Sequence, residues 1–291
     1  MTIVAPPPPA PAAPPPLSDS GRRTVRVAFV LAATLLMLGT VAGLTAVALG
    51  VSSLRVTTDS AVLPGDMKSL TIDAADAPLA IRIRADPATT SPHADLRLLN
   101  VTGDGDYRLN VETDGSGTRV SVASMPATLL GWRRTGEVTV TLPPDVARRL
   151  SLTTQQTDGV LLVDTDLDQL TAHSTDGAVV LRGGARRVDI TVTDADIVVR
   201  DPIRVTESFV TNSVDGDVNL AFSLVAPRTI DATSRDGNIS ITLPAAGPYL
   251  VNAQSSGSAS IRVPQTNDPK KAVAEVTAKT VDGDVAVRTG R

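Results

Sequence analysis

The sequence predicts an all-β chain, a β-solenoid preceded by a single transmembrane helix. Three observations carry that expectation. An Asp-Gly dipeptide or a near variant recurs at short intervals, apolar residues alternate with small and polar ones at fixed offsets from it, and residues 27–54 carry no charge.

The repeat comes first because self-similarity at a short period identifies stacked architectures. Its marks are Asp158-Gly159, Asp176-Gly177, Asp194-Ala195, Asp215-Gly216, Asp236-Gly237, Ser256-Gly257 and Asp282-Gly283, at steps of 18, 18, 21, 21, 20 and 26. Six residues before each mark stand Leu152, Leu170, Val188, Phe209, Ile230, Leu250 and Val276. Two and four residues after it stand pairs such as Leu161 and Val163, Ile197 and Val199, Ile239 and Ile241, and Val285 and Val287. Small residues such as Ala172, Ser174, Thr211, Ser213, Ala232 and Ser234 fill the remaining even offsets. Period two is the pattern of a strand with one buried face. Asp-Gly then reads as the turn, because Gly takes positive φ freely and Asp bonds to the backbone just ahead. Asp76-Ala77 and Asp104-Gly105 fit the same template, and the main break lies between Asp114 and Leu150.

Two architectures share this pattern. Asp-Gly is also a hairpin turn, which leaves an antiparallel β-sandwich as the alternative. The even step favours the solenoid, in which equivalent side chains of successive coils form inward columns. On sequential stacking the last coil, with Val285 and Val287 near the chain end, presents an exposed edge, and Arg288 and Arg291 discourage pairing there.

About 20 apolar residues span a bilayer as a helix, so the uncharged stretch is long enough. Arg22, Arg23 and Arg26 precede it, which places the N-terminus in the cytoplasm and the remainder outside, on the cell membrane. A cleaved signal peptide has a shorter apolar region, about 7–15 residues, so a retained signal anchor is expected. Gly39 and Gly43 make a GxxxG, a candidate for weak self-association, though glycine is common in such helices anyway. The expected organisation is a proline-rich disordered cytoplasmic tail over 1–24, the helix over 25–54, a linker over 55–69 and the repetitive domain over 70–291.

Composition narrows the chemistry. The 291 residues include no cysteine, two histidines (His93 and His173) and 2% aromatics, so disulfides, thiolate sites and histidine-based metal or acid–base chemistry are poorly supplied. No cofactor is expected. Three of the 27 Lys and Arg and one of the 31 Asp and Glu precede the apolar stretch, which leaves the remainder at −6. A mildly acidic domain of this kind is no nucleic-acid binder.

Candidate sites are few. The odd stretch Leu129 to Arg134 holds the only tryptophan; Leu130, Trp132, Arg133 and Arg134 form a candidate contact loop, since Trp and Arg recur at binding hot spots. A lid over one end of the solenoid accounts for it equally well. The turn aspartates suggest a calcium column, but the denser GGxGxD repeat of calcium solenoids is absent, and turn chemistry accounts for every Asp. The acids Asp164, Asp166, Asp168, Asp189, Asp194, Asp196 and Asp201 have no distinctive spacing, and His173 falls at an outward offset.

The segments STDGAVVL, SVDGDVNL, SRDGNISI and TVDGDVAV resemble the coils of the bacterial "putative adhesin" family, a β-solenoid domain of unknown function. Its members commonly follow an N-terminal membrane anchor. The resemblance covers roughly residues 70–291 and transfers no catalytic residues. It implies a class and names no ligand. The expectation is therefore a non-catalytic envelope protein whose repetitive surface binds another envelope protein or a glycan. A surface glycan-active enzyme and an envelope-stress sensor are the alternatives.

Overall fold

Alternation gives each segment one apolar face, and the computed structural model shows what those faces bury against. It describes residues 54–74, 78–101, 108–122 and 135–290. The apolar stretch ahead of Leu54, the proline-rich tail, Gly39 and Gly43, the Asp76-Ala77 and Asp104-Gly105 turns, and Leu130, Trp132, Arg133 and Arg134 lie outside the described residues. Among the described residues no helix is long and apolar enough to cross a membrane. The strands belong to one unit, Arg55–Arg291.

In chain order the strands begin with β1 (Leu54–Val62), β2 (Ser69–Ala74), β3 (Leu79–Ala85) and β4 (His93–Val101). Next come β5 (Leu109–Asp114), β6 (Gly117–Val122), β7 (Thr135–Leu142) and the short helix α1 (Pro144–Ala147). The middle holds β8 (Ser151–Gln156), β9 (Val160–Asp164), β10 (Leu167–Leu181), β11 (Ala185–Val199), β12 (Val205–Asp215) and β13 (Val218–Ala221). The last are β14 (Thr229–Asp236), β15 (Ile239–Leu243), β16 (Tyr249–Gln254), β17 (Ala259–Arg262), β18 (Ala274–Asp282) and β19 (Val285–Thr289).

One parallel ladder runs β6–β2–β8–β10–β11–β12–β14–β18–β16. The other runs β7–β3–β9–β10–β11–β13–β15–β19–β17. Strands β10 and β11 serve both, each bending once, at Asp176-Gly177 and Asp194-Ala195. A stack of two-residue hairpins would pair antiparallel. The parallel register therefore establishes the all-β, solenoid-like architecture in place of the sandwich.

Inward columns form the core. Leu152, Leu170, Val188, Phe209 and Ile230 stack in register, as do Leu161, Val179, Ile197, Val218 and Ile239, and all are buried. The column Thr154, Ala172, Ile190, Thr211, Ala232 and Ala278, small at every step but Ile190, is equally buried. Phe209 meets Phe222 edge-on, with ring centroids 5.5 Å apart.

Glycine at the bend answers a steric demand. Gly177 and Gly237 have φ of 111° and 142°, and a Cβ on either would overlap the carbonyl oxygen of Gly159 or Gly216 in the adjoining coil. The coils touch backbone to backbone at this edge, a contact that an L-side chain at that φ would block.

The structure corrects four expectations. The chain-terminal coil is not the rim: β18 and β19 lie between β14 and β15 on one side and β16 and β17 on the other, and Val285 and Val287 are fully buried. Leu250 does not join its column, because Val251 is the partner of Val276 and the bend at Ser256-Gly257 is one residue shorter than at Asp282-Gly283. The template at Asp104-Gly105 does not make a parallel coil; β4 pairs antiparallel with β7, and β5 pairs antiparallel with β6. Residues 55–69, expected as a linker, contain most of β1, which pairs with β4.

Candidate functional site

Side chains at the two edges of the coils have different work. At the Asp-Gly edge, Asp176, Asp194, Asp215, Asp236 and Asp282 stand in register. Neighbouring strands lie about 4.8 Å apart, so the edge is a ridge of like charges. The expected role of these side chains, bonding to the backbone just ahead, belongs to other groups. The hydroxyls of Ser174 and Ser213 donate to the carbonyl oxygens of Asp176 and Asp215, at 3.1 Å each. From Asp194-Ala195 onward, the residue after each bend dipeptide ties coil to coil. Asp196 Oδ1 accepts from the Asp217 N–H at 2.9 Å, Asp217 Oδ1 from the Asn238 N–H at 2.8 Å, and Asn238 Oδ1 from the Asp284 N–H at 3.0 Å. Asp284 Oδ1 completes the ladder by accepting from the Ser258 N–H at 2.8 Å and its hydroxyl at 3.0 Å. Those two bonds hold the Asp284 carboxyl below the usual carboxylate range.

The opposite edge, where one coil passes to the next, carries arginines. Arg186 grips Asp168 through two parallel bonds, Nε to Oδ1 at 2.8 Å and Nη2 to Oδ2 at 2.9 Å, and donates from Nη1 to Glu207 Oε2 at 3.0 Å. Arg187 Nε donates to the same Glu207 oxygen at 2.6 Å. The forked guanidinium suits such two-point contacts. The Arg186 hydrogen bonds, reinforced by its charge and that of Arg187, hold Asp168 below the carboxylate range despite partial desolvation. Glu207 is lowered in the same direction, first by Arg187 and then by Arg186.

Beside this network lies an open cavity of about 380 Å³ rimmed by Arg148, Arg182, Arg186 and Arg204, with Asp166 and Asp168 in its wall. Arg148 pairs with Asp145 at the end of α1. Asp166 Oδ1 accepts from the Gly184 N–H at 2.8 Å. The buried side chains of Leu167 and Ile203 also line it. A second open cavity, about 400 Å³, lies on the outer side of β3, β7 and β4 and is lined by Arg82, Arg84, Asp95, Arg97, Glu137 and Thr139. There Arg82 Nε sits 2.9 Å from Glu137 Oε1.

Of the acids singled out by sequence, the basic cavity takes only Asp166 and Asp168, and Asp196 belongs to the ladder. Asp189 and Asp194 lie on the exposed side of β11. Asp164 and Asp201 are exposed. His173 is exposed, at the outward offset expected, beside Gln155 and Thr191. Among the described residues no group of three or more histidine, aspartate or glutamate side chains is placed to hold a metal ion. The contact-loop residues fall outside the described residues, within the connection from β6 to β7. Sequence reasoning missed Arg182, Arg186, Arg204 and Glu207. The signal for two of them was present: Asp168, Arg186 and Glu207 follow one another at 18 and 21 residues, the same steps as the turns.

A family model described as Toastrack DUF4097 matches residues 85–288. Among solved structures, a "putative adhesin" from Bacteroides fragilis NCTC 9343 aligns over 81% of this chain and 97% of its own, with 11% identity and a TM-score of 0.45. Another from Parabacteroides merdae ATCC 43184 aligns over the same shares with 13% identity and a TM-score of 0.41. A "putative cell adhesion protein" from Clostridium sporogenes ATCC 15579 covers 81% of this chain and 100% of its own at 8% identity, with a TM-score of 0.35. No curated protein matches.

Proposed function

Since this chain belongs to the Toastrack DUF4097 family, we propose that it is a non-catalytic, adhesin-like binding module, anchored in the cell membrane by residues 27–54 with its β unit outside the cell. The observation that carries the proposal is how the side chains of the coils are used. Inward residues fill the columns, and acidic residues such as Asp196, Asp217 and Asp168 serve bonds between coils. What remains for a partner is a repetitive, solvent-facing surface suited to many weak contacts. A glycan-cleaving enzyme needs a carboxyl group raised toward neutral pH to act as an acid. The Asp168 carboxyl in the basic cavity moves the other way. The charge asymmetry of Arg22, Arg23 and Arg26 supports a cytoplasmic N-terminus.

Two measurements test the proposal. Protease added to intact cells should digest the portion after residue 55 and spare the N-terminal tail; full protection of the β unit overturns the placement. The full chain in detergent micelles, used as bait on an envelope extract, should retain a defined protein or glycan, and Trp132→Ala should weaken that retention if the 129–134 loop is the contact. Retention of nothing above a bare-resin control overturns the binding role.

A further inference from the structure

We propose that the cavity on the arginine edge binds an acidic sugar residue, with its carboxylate or phosphate held between Arg182 and Arg204. The inference deepens the surface-binding role and rests on it.

Most polar groups in the cavity wall already have partners. Asp168 gives both oxygens to Arg186, Asp166 gives one to the Gly184 N–H, and Arg186 turns its remaining edge to Glu207. The wall is thereby fixed across three successive coils before any ligand arrives. Arg182 and Arg204 are left over: both line the cavity, both are exposed, and neither side chain makes an ion pair or hydrogen bond among the described residues. Two free guanidinium forks beside a braced wall are a recognition element for a two-oxygen anion, carboxylate and phosphate alike.

The rest of the cavity selects what carries the anion. Leu167 and Ile203, 5% and 2% exposed, supply apolar surface, and Thr206 adds a hydroxyl. A sugar ring matches that mixture, with one C–H face and a rim of hydroxyls. At about 380 Å³ the volume lies at the small end of ligand clefts, which run roughly 300–1,000 Å³, so it takes one or two rings and leaves a longer polymer to run along the surface. The ridge of aspartates on a second copy is the competing anion. That ridge repeats in register over five coils, whereas the cavity offers a single pair, Arg182 and Arg204, so the two surfaces do not match in period.

The test uses the full chain in detergent micelles and isothermal titration. The probes are an oligogalacturonate (carboxylate on a ring), glucose 6-phosphate (phosphate on a ring), inorganic phosphate and a neutral dextran oligomer. At least one acidic sugar should bind more tightly than inorganic phosphate and dextran, and the tighter of the two names the anion. The double variant Arg182→Gln/Arg204→Gln should weaken that binding at least about tenfold, with an unchanged melting midpoint because neither side chain holds the fold. Arg262→Gln, far along the stack, should leave binding unaltered. The proposal is overturned if neither acidic sugar binds, if inorganic phosphate or dextran binds as well, or if Arg262→Gln weakens binding as much as the double variant. Light scattering showing a wild-type oligomer that the double variant dissolves would assign the arginines to a second copy and also overturn it. If envelope capture survives in the double variant while sugar binding is absent from the wild type, this site fails alone. If the wild type captures nothing, the broader role fails separately.

Discussion

Val276→Ala should destabilise the protein much more than Val251→Ala, although Val276 lies in the last coil of the chain. In space Val276 sits between Ile230 and Val251, and its side chain is 0% exposed. Among the described residues Val251 has a strand partner on one side only, and it is half-buried. Losing two methyl groups from a closed site costs about 0.8 kcal/mol each in transfer, and the cavity left behind brings the total to about 2–3 kcal/mol. At the half-exposed rim the same change should cost about 1 kcal/mol or less. For a unit of this size each kcal/mol shifts the midpoint by roughly 2–4 °C. Val276→Ala should therefore melt about 5–10 °C below the wild type, and Val251→Ala within about 3 °C of it. Far-ultraviolet circular dichroism of the full chain in micelles, followed against temperature, reads both. Equal losses, or a larger loss for Val251→Ala, would put the chain-terminal coil at the rim and refute the interleaved order.

Three other perturbations follow from the same packing. Gly177→Ala must place a Cβ at φ 111° against the Gly159 carbonyl and should cost about 2 kcal/mol or more, whereas Ala195→Gly in the same bend column should cost only about 0.5–1 kcal/mol; paired denaturant melts separate them. The Thr211 hydroxyl is buried without a partner among the described residues, so the isosteric Thr211→Val should raise stability by about 1 kcal/mol, seen as a higher melting midpoint. Asp168 and Glu207 have folded pKa values below their unfolded ones, so the stability they add is complete above the ordinary carboxylate range near pH 4 and is lost as pH falls through the lowered values; Asp168→Asn should make the acid limb of a stability–pH curve shallower and leave its slope between pH 6 and 8 unchanged.

The coil was legible because backbone geometry repeats. Strand alternation and the bend glycine recur at each step, so Leu170, Val188 and Ile230 could be placed in one column from spacing alone. What spacing could not reveal was spatial order. A solenoid coil can stack on any coil with a matching face, and the choice between Asp282-Gly283 and Ser256-Gly257 as neighbour of Asp236-Gly237 rests on bend length and on Asn238 meeting the Asp284 N–H. The longer bend with a true Asp-Gly is the better match, and Ser256 marks the rim coil. The ladder of Asp196, Asp217, Asn238 and Asp284 was hidden for another reason. Its members share a position and an acceptor oxygen but not an identity, so an apolar pattern passes over them. The arginine edge was missed because charge pairs across coils are 18–21 residues apart, outside the reach of helical or hairpin pairing rules.

The same exchange of neighbours occurs at both ends of the stack. Strands β2 and β3 lie between β6 and β7 on one side and β8 and β9 on the other. At the far end β18 and β19 are enclosed by β14 to β17. In a sequential solenoid the terminal coils fray first, because each has one neighbour and a free chain end. Here the outermost coils are internal segments tethered at both ends, and β18 and β19, close to the C-terminus, have two interfaces each. Opening β18 and β19 must break both ladders of an enclosed coil at once, which raises the cost of that opening. The arrangement also lengthens the loops that must close before a rim coil finds its partner, so it slows folding while it suppresses fraying. For a unit with no disulfides and almost no aromatic packing, joining its ends by exchange supplies a resistance to local opening that the repeat alone lacks.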